Sequence, residues 1–439
     1  MGISNLIFAL ILILAIFLFR RNVLRIKRNI FLGRDVSRSD QPILRWKTMV
    51  RVALGQSKMM VKPIAGFLHV IVYAGFVIIN IEVLEIIIDG LFGTHRIFSF
   101  LGVFYDFLIA SFEILALLVL LACVLFFIRR NGLRLKRFVA KEVSGWPKTD
   151  ANLILVFEVL LMGAFLLMQG ADLTLQKLGA AHYVEAGSFP ISTHLLFIFE
   201  GMSASTVYFF ERVFWWFHIL GILAFLNYLP YSKHLHIVLA FPNTYYSNLK
   251  PKGTFSNMNS VTQEVKLMLD PDADPYATPD LDSSNDTQRF GAKDVTDLSW
   301  VQLMNAYSCT ECGRCTSECP ANQTGKLLSP RKIMMDTRDR LETYGAEIDA
   351  VDDQENQRPL LDGYISREEL WACTTCNACT DACPINIDPL SIILDMRRYL
   401  VMEESAAPNE LNVVFTNIEN NGAPWQFSAA DRLKWKDEL

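Results

Sequence analysis

Two short runs decide how this chain is read: Cys309-Thr310-Glu311-Cys312-Gly313-Arg314-Cys315-Thr316-Ser317-Glu318-Cys319-Pro320 and Cys373-Thr374-Thr375-Cys376-Asn377-Ala378-Cys379-Thr380-Asp381-Ala382-Cys383-Pro384. Both follow the pattern Cys-x2-Cys-x2-Cys-x3-Cys-Pro, and together they hold eight of the nine cysteines among 439 residues. Two-residue gaps let three thiolates of one tight loop face three irons of a cube, and the fourth cysteine follows after a longer gap. Zinc sites take their ligands in two pairs rather than as three plus one. A disulfide framework suits a small secreted domain, and this chain is neither small nor secreted. The spacing therefore points to two [4Fe–4S] clusters on Cys309, Cys312, Cys315, Cys319, Cys373, Cys376, Cys379 and Cys383. Each proline turns the chain away from its loop.

The spacing is similar to that of bacterial two-cluster ferredoxins. The resemblance implies that the fourth cysteine of each run serves the other cluster. The implied sets are Cys309, Cys312 and Cys315 with Cys383, and Cys373, Cys376 and Cys379 with Cys319.

Hydrophobic residues make up 51% of the chain, concentrated in its first 240 residues, while the rest is polar and acidic. The formal net charge of −5 argues against general nucleic-acid binding. The apolar run 3–19, followed at once by Arg20 and Arg21, reads as a retained first membrane helix. A cleaved signal would carry its charge ahead of the run and a small-residue cleavage site behind it. Segments 64–88, 101–128, 151–168 and 207–228 are each long enough to cross about 30 Å of hydrocarbon. Twelve Lys and Arg lie between Arg20 and Lys62, and seven between Arg129 and Asp150, against Arg96 and Lys177 in the other two loops. The positive-inside rule places the basic loops in the cytoplasm, which puts the N-terminus outside and the cysteine runs inside. Reduced thiol ligands need that compartment too.

The expected fold is mostly α: a five-helix transmembrane bundle, N-out and C-in, followed by a cytoplasmic α-helical two-cluster ferredoxin domain. The expected boundaries are 1–240 for the membrane domain, 241–297 for a linker and irregular segment, 298–402 for the cluster domain and 403–439 for a tail. Within these, 270–289 reads as a poorly ordered linker and 330–344 as a helix.

Four histidines are candidates for haem ligation: His69 in the second helix, His218 in the fifth, and His234 and His236 at the fifth helix's cytoplasmic end. Imidazoles from two helices can hold both axial positions of a b-type haem. His218 and His236 are 18 residues apart, about five turns of a continuous helix. The depth of His69 matches that of His236, so this pair is the first choice and His69 with His218 the second. A second haem lacks a ligand on the second helix, where Ile79 or Asn80 stands, so one haem is expected rather than two. Glu82, Glu85, Asp106, Glu113 and Glu158 lie in or beside apolar helices, where carboxyl groups can pass protons or simply pair within the bundle. Cys123 reads as a small buried hydrophobe.

The membrane half resembles the gamma subunit of respiratory nitrate reductase, a five-helix cytochrome b, on its layout, the second-helix histidine and the His218–His236 spacing. The cysteine half resembles the helical ferredoxin domain of heterodisulfide-reductase-like and succinate-dehydrogenase-like proteins. Together they resemble membrane iron–sulfur subunits of the heterodisulfide-reductase-related group. The resemblance implies a respiratory-chain subunit of the bacterial inner membrane that passes electrons between menaquinone or ubiquinone and a cytoplasmic redox partner. That partner would be a subunit with a cysteine-rich CCG domain or an electron-transfer flavoprotein. No adjacent cysteine pair occurs in this chain, so the CCG part is expected elsewhere or absent. No G-x-G-x-x-G precedes a helix, so no dinucleotide site is expected. The rival reading is a membrane-anchored iron–sulfur sensor or scaffold without quinone chemistry.

Overall fold

The structure, a computed structural model, describes residues 2–272, 289–350 and 358–437. Most of the expected linker 270–289 lies outside the described residues. Among those described there is no β-strand, only isolated bridges at Arg34–Ser299 and Leu361–Ile365.

Among the described residues, helices α1 (Ile3–Ile30), α3 (Pro63–Phe92), α4 (Val103–Phe127), α5 (Trp146–Lys177) and α6 (Ala204–Tyr228) are the five long apolar helices; α2 (Pro42–Met49) is a short helix between the first two. In hydrocarbon every backbone group must be satisfied internally, so apolar runs of this length form helices. Pro63 starts α3, where its missing N–H is not needed, and Gly93 ends it in the left-handed region at φ +74. Helices α3, α4, α5 and α6 pack in succession, and α1 lies against α3 and α6. Gly90 allows close approach: a Cβ there would stand 2.7 Å from Phe8 Cε1 and 3.0 Å from Trp215. Small residues serve helix contacts in membranes for this reason. The bundle core is Phe8, Ile109, Phe112, Ala116, Phe165 and Ile219, while Leu6, Leu10, Phe107 and Phe209 face outward. The chain is thus a multi-pass membrane protein.

Two of these helices outrun their apolar segments. Helix α1 continues past Arg20 to Ile30, and Ile30 is buried in the core of the cysteine domain. There Asn29 Nδ2 donates to Tyr307 Oη at 3.1 Å. Arg34 N donates to Leu298 O at 2.8 Å and Trp300 N to Arg34 O at 3.1 Å. Helix α5 begins at Trp146 and ends at Lys177, because its flanking polar residues also adopt helix once nucleated.

The segment 241–297 is not irregular throughout. Helix α7 (His236–Tyr245) runs into it and α8 (Asn259–Leu269) lies within it. Ala292 and Val295 already belong to the cysteine-domain core. That core is helical: α9 (Trp300–Ser308), α10 (Pro330–Ala350) and α11 (Pro389–Met402) bury Leu303, Ile333, Leu341, Ile392 and Met396 around the two cysteine loops. The tail forms α12 (Asn409–Asn421), which buries none of its residues, and leaves Trp425 and Trp435 exposed.

Candidate redox site

Each cysteine loop winds the same way. Glu311 (φ +55) and Gly313 (φ +72) in the first match Thr375 (φ +58) and Asn377 (φ +62) in the second. Residues in the left-handed region turn backbone amides toward the inside of a loop, a concavity that favours negative charge. One such bond forms within a loop, Thr375 N to Cys373 Sγ at 3.4 Å; just past the second loop, after Asn386 (φ +60), Ile387 N donates to Cys383 Sγ at 3.3 Å.

Tertiary structure brings Cys383 across to the first loop. Cys309, Cys312, Cys315 and Cys383 line one small space closed by Arg331, Met334 and Ile387. Burial pushes Cys309 up to about 12 and Cys383 up to about 11. Cys315 is raised by burial and then by the charge of its neighbours. In the second loop burial raises Cys379 to about 12; it also raises Cys373, with Cys319 and Cys376 adding to the effect. Thiols buried together resist ionisation unless a cation stands among them, and cluster irons supply that charge. Among the described residues no group of three or more His, Cys, Asp or Glu is arranged to hold a single metal ion.

The histidines separate into a group and an outlier. His69 and His236 face one another, with ring centroids 6.4 Å apart and planes at 45°. His234 lies beside them, 5.4 Å from His236. His236 Nδ1 donates to Lys233 O at 3.1 Å, which leaves Nε2 free, and His69 Nδ1 is buried with no hydrogen-bond partner. Burial lowers His234 to about 3, with His236 and then His69 contributing, and burial also lowers His236. Both are therefore neutral imidazoles, the form that ligates metal. His218 packs on Phe165 at 5.5 Å, deeper in the bundle, and its Nδ1 donates to Leu161 O at 3.0 Å. The continuous-helix phase expected for His218 and His236 is not realised. The chain breaks into 3-10 turns at Leu229–Tyr231 and Lys233–Leu235 before α7 begins at His236.

The carboxylates divide by role. Glu85 accepts from Phe98 N and Tyr105 Oη, both at 2.8 Å. Asp106 accepts from Gly187 N at 2.9 Å, and Glu113 from Ile191 N at 2.8 Å. These three tie loops to the bundle end opposite the cysteine domain. Glu82 accepts from Gln169 Nε2 at 2.7 Å and keeps its other oxygen buried and unpartnered. Sequence reasoning missed the rest of this polar centre, in which Arg96 bonds Gln169 and Asp172, and His95 stands 2.9 Å from Asp172. His95 and Arg96 come from the loop after α3 and Gln169 and Asp172 from α5, and no local pattern joins the two segments.

The cysteine domain docks on the same bundle end as the two basic loops. Arg331 Nη2 meets Glu142 Oε1, and its Nη1 donates to Arg137 O, both at 2.6 Å. Lys58 Nζ donates to Asn386 Oδ1 at 2.9 Å, and Asn243 Nδ2 to Ile385 O at 2.7 Å.

Such a fold and site define a membrane-spanning iron–sulfur electron-transfer protein. The family described as 4Fe-4S dicluster domain matches residues 308–387. The chain is 29% identical over 414 residues to the probable iron–sulfur-binding oxidoreductase FadF of Bacillus subtilis, covering 88% of this chain and 54% of that protein. It is 26% identical over 430 residues to the EtfAB:quinone oxidoreductase of Syntrophomonas wolfei, covering 92% and 55%. A probable membrane-anchored ferredoxin of Chromohalobacter salexigens is 31% identical over 173 residues, 36% of this chain and 26% of that protein. The chain thus spans about half the length of its two long-matching relatives. No solved structure matches it.

Proposed function

We propose that this chain exchanges electrons between the quinone pool of a bacterial inner membrane and a cytoplasmic redox partner. In this reading Cys309, Cys312, Cys315 and Cys383 hold one [4Fe–4S] cluster, and Cys373, Cys376, Cys379 and Cys319 hold the other. His69 and His236 hold one haem b in a cytochrome b-like bundle whose basic loops lie in the cytoplasm. The observation that carries the reading is the His69–His236 pair. Imidazole nitrogens each about 2 Å from one metal put ring centres roughly 6 Å apart, and the observed separation is 6.4 Å. The free Nε2 of His236 and the orphaned Nδ1 of His69 suit such a group. A haem bound there supplies one-electron chemistry. The protein's part is to fix ring orientation, through the His236–Lys233 bond, and to keep water out. The relative named as an EtfAB:quinone oxidoreductase supports quinone on one side and an electron-transfer flavoprotein on the other.

The test is a reduced-minus-oxidised spectrum of the purified protein, with iron and acid-labile sulfide counted and a quinol analogue as reductant. Haem b that responds to quinol, and is lost in His69→Ala, is the expected result. Iron and sulfide without haem would overturn the quinone-linked reading and leave the anchored sensor.

A further inference from the structure

The two cysteine loops are not equivalent toward the membrane. Glu311, between the first two cysteines, is 6% exposed. Its carboxylate is gripped by Lys233 Nζ on one side and by Arg338 Nη1 at 2.9 Å on the other. Lys233 is itself nearly enclosed: Nζ donates to Pro147 O at 2.7 Å and lies 3.8 Å from Asp150 Oδ2. The carbonyl of the same Lys233 accepts from His236 Nδ1. One residue therefore holds the first loop with its side chain and orients an imidazole with its backbone. Asp150 locks that residue in place by accepting from Lys233 N at 3.1 Å and Ser232 Oγ at 2.7 Å. On the other flank Arg314, also in the first loop, donates to Lys58 O at 3.0 Å and Met59 O at 3.2 Å, in the turn that leads to His69. The first loop thus grips both segments that carry the paired histidines. The second run also touches that turn, through Lys58 Nζ, and α7, through Asn243, but none of these bonds reaches Lys233. Cys376 is exposed, whereas Cys309 is buried.

We propose that Lys233 is a positioning residue that clamps the first cysteine loop against the histidine pair. The first loop is then the membrane-facing member, and the loop carrying exposed Cys376 is the one a soluble redox partner meets. The proposal rests on the haem and cluster assignments above. Each transfer between the first loop and the histidine pair moves one electron: the donor is oxidised by one and the acceptor reduced by one. No bond forms or breaks, and no proton moves. Lys233 sets the geometry by ion pairing within a buried, low-dielectric contact, where losing one partner strands the other charge.

The experiment compares wild type, Lys233→Met, Lys233→Arg and Lys252→Met in detergent. It measures iron and haem content, the reduction potential of each cluster by spin resonance, and the rate of haem reduction after a soluble photoreductant charges the clusters. Lys233→Met should keep its iron and haem, lower the potential of the first cluster alone, and slow haem reduction about tenfold or more, as misplacement of a positioned group does. Lys233→Arg should restore most of the rate, and Lys252→Met, which removes an exposed partner of Asp381 in the second loop, should leave it near wild type. A wild-type rate in Lys233→Met, or an equal loss in Lys252→Met, overturns the proposal. If Lys233→Met loses iron, Glu311→Gln decides: slow transfer with full iron supports the clamp, and an unchanged rate overturns it. A wild type with no haem, or with clusters that never reduce it, refutes the underlying reading and the clamp with it. Normal wild-type transfer with indifferent variants refutes the clamp alone.

Discussion

Replacing Arg331 by Met should loosen the docking of the cysteine domain on the loop that follows α4. Arg331 is 1% exposed, and its guanidinium joins Glu142 Oε1 and Arg137 O. Glu142 also receives Ser329 Oγ at 2.9 Å. Burial works to raise Glu142 and the Arg331 bond to lower it, with a net shift below the usual carboxylate value. Met fills much of the same volume but leaves the carboxylate and a carbonyl short of a donor. Breaking a buried pair by deleting one partner costs about 3–5 kcal/mol. Glu142 is 16% exposed and keeps Ser329, so a loss of about 2–4 kcal/mol is expected, nearer the range for stranded hydrogen-bonding groups. Because Glu142 sits below its unfolded value, the pair stabilises above that value and loses its contribution as pH falls through the folded one. The assay is denaturant-driven bleaching of the clusters in detergent at neutral and acidic pH, for Arg331→Met, Glu142→Gln and the double variant. The single losses should not add, with a coupling of about 1–3 kcal/mol that shrinks in acid. A loss within about 0.5 kcal/mol of wild type, or strict additivity at neutral pH, would refute the reasoning.

Other outcomes follow from the same geometry. Cys383→Ser should remove about half the iron and perturb the spin-resonance signal of the first loop's cluster, because that residue crosses to the first loop; loss of the second loop's signal instead would exclude crossed ligation. Gly313→Ala should reduce cluster retention, since its φ of +72 disfavours a side chain and a Cβ would stand 2.6 Å from Arg331 Nη1. The comparator Asn377→Gly should retain clusters fully on an iron count. Burial raises Asp336 to about 6, with Lys332 opposing and Glu369 adding. A carboxyl raised above its unfolded value favours folding as pH falls through the folded value. The wild type should therefore gain stability over Asp336→Asn between pH 6 and about 4, and a flat difference across that window in cluster bleaching would count against it.

The sequence by itself determined the membrane span count, the helical class and the cysteine loops. Hydrocarbon permits only closed backbone structures at those lengths, and the three-plus-one spacing is a local property of a tight loop. It also pointed to His69 and His236 through depth alone. The shared phase of His218 and His236 is a separate expectation and is not realised, because the chain breaks at Pro230 and restarts at His236. The extension of α1 into the cysteine-domain core was not legible, because polar helix composition does not say what it will pack against. Tertiary structure places Cys383 at the first loop, as the ferredoxin resemblance implies, and it alone decided that Lys233 meets Glu311 and that Arg96 gathers Gln169 and Asp172. Each of these joins residues distant in the chain, and long-range pairing of buried charge is set by how packed elements meet rather than by any repeat in the sequence.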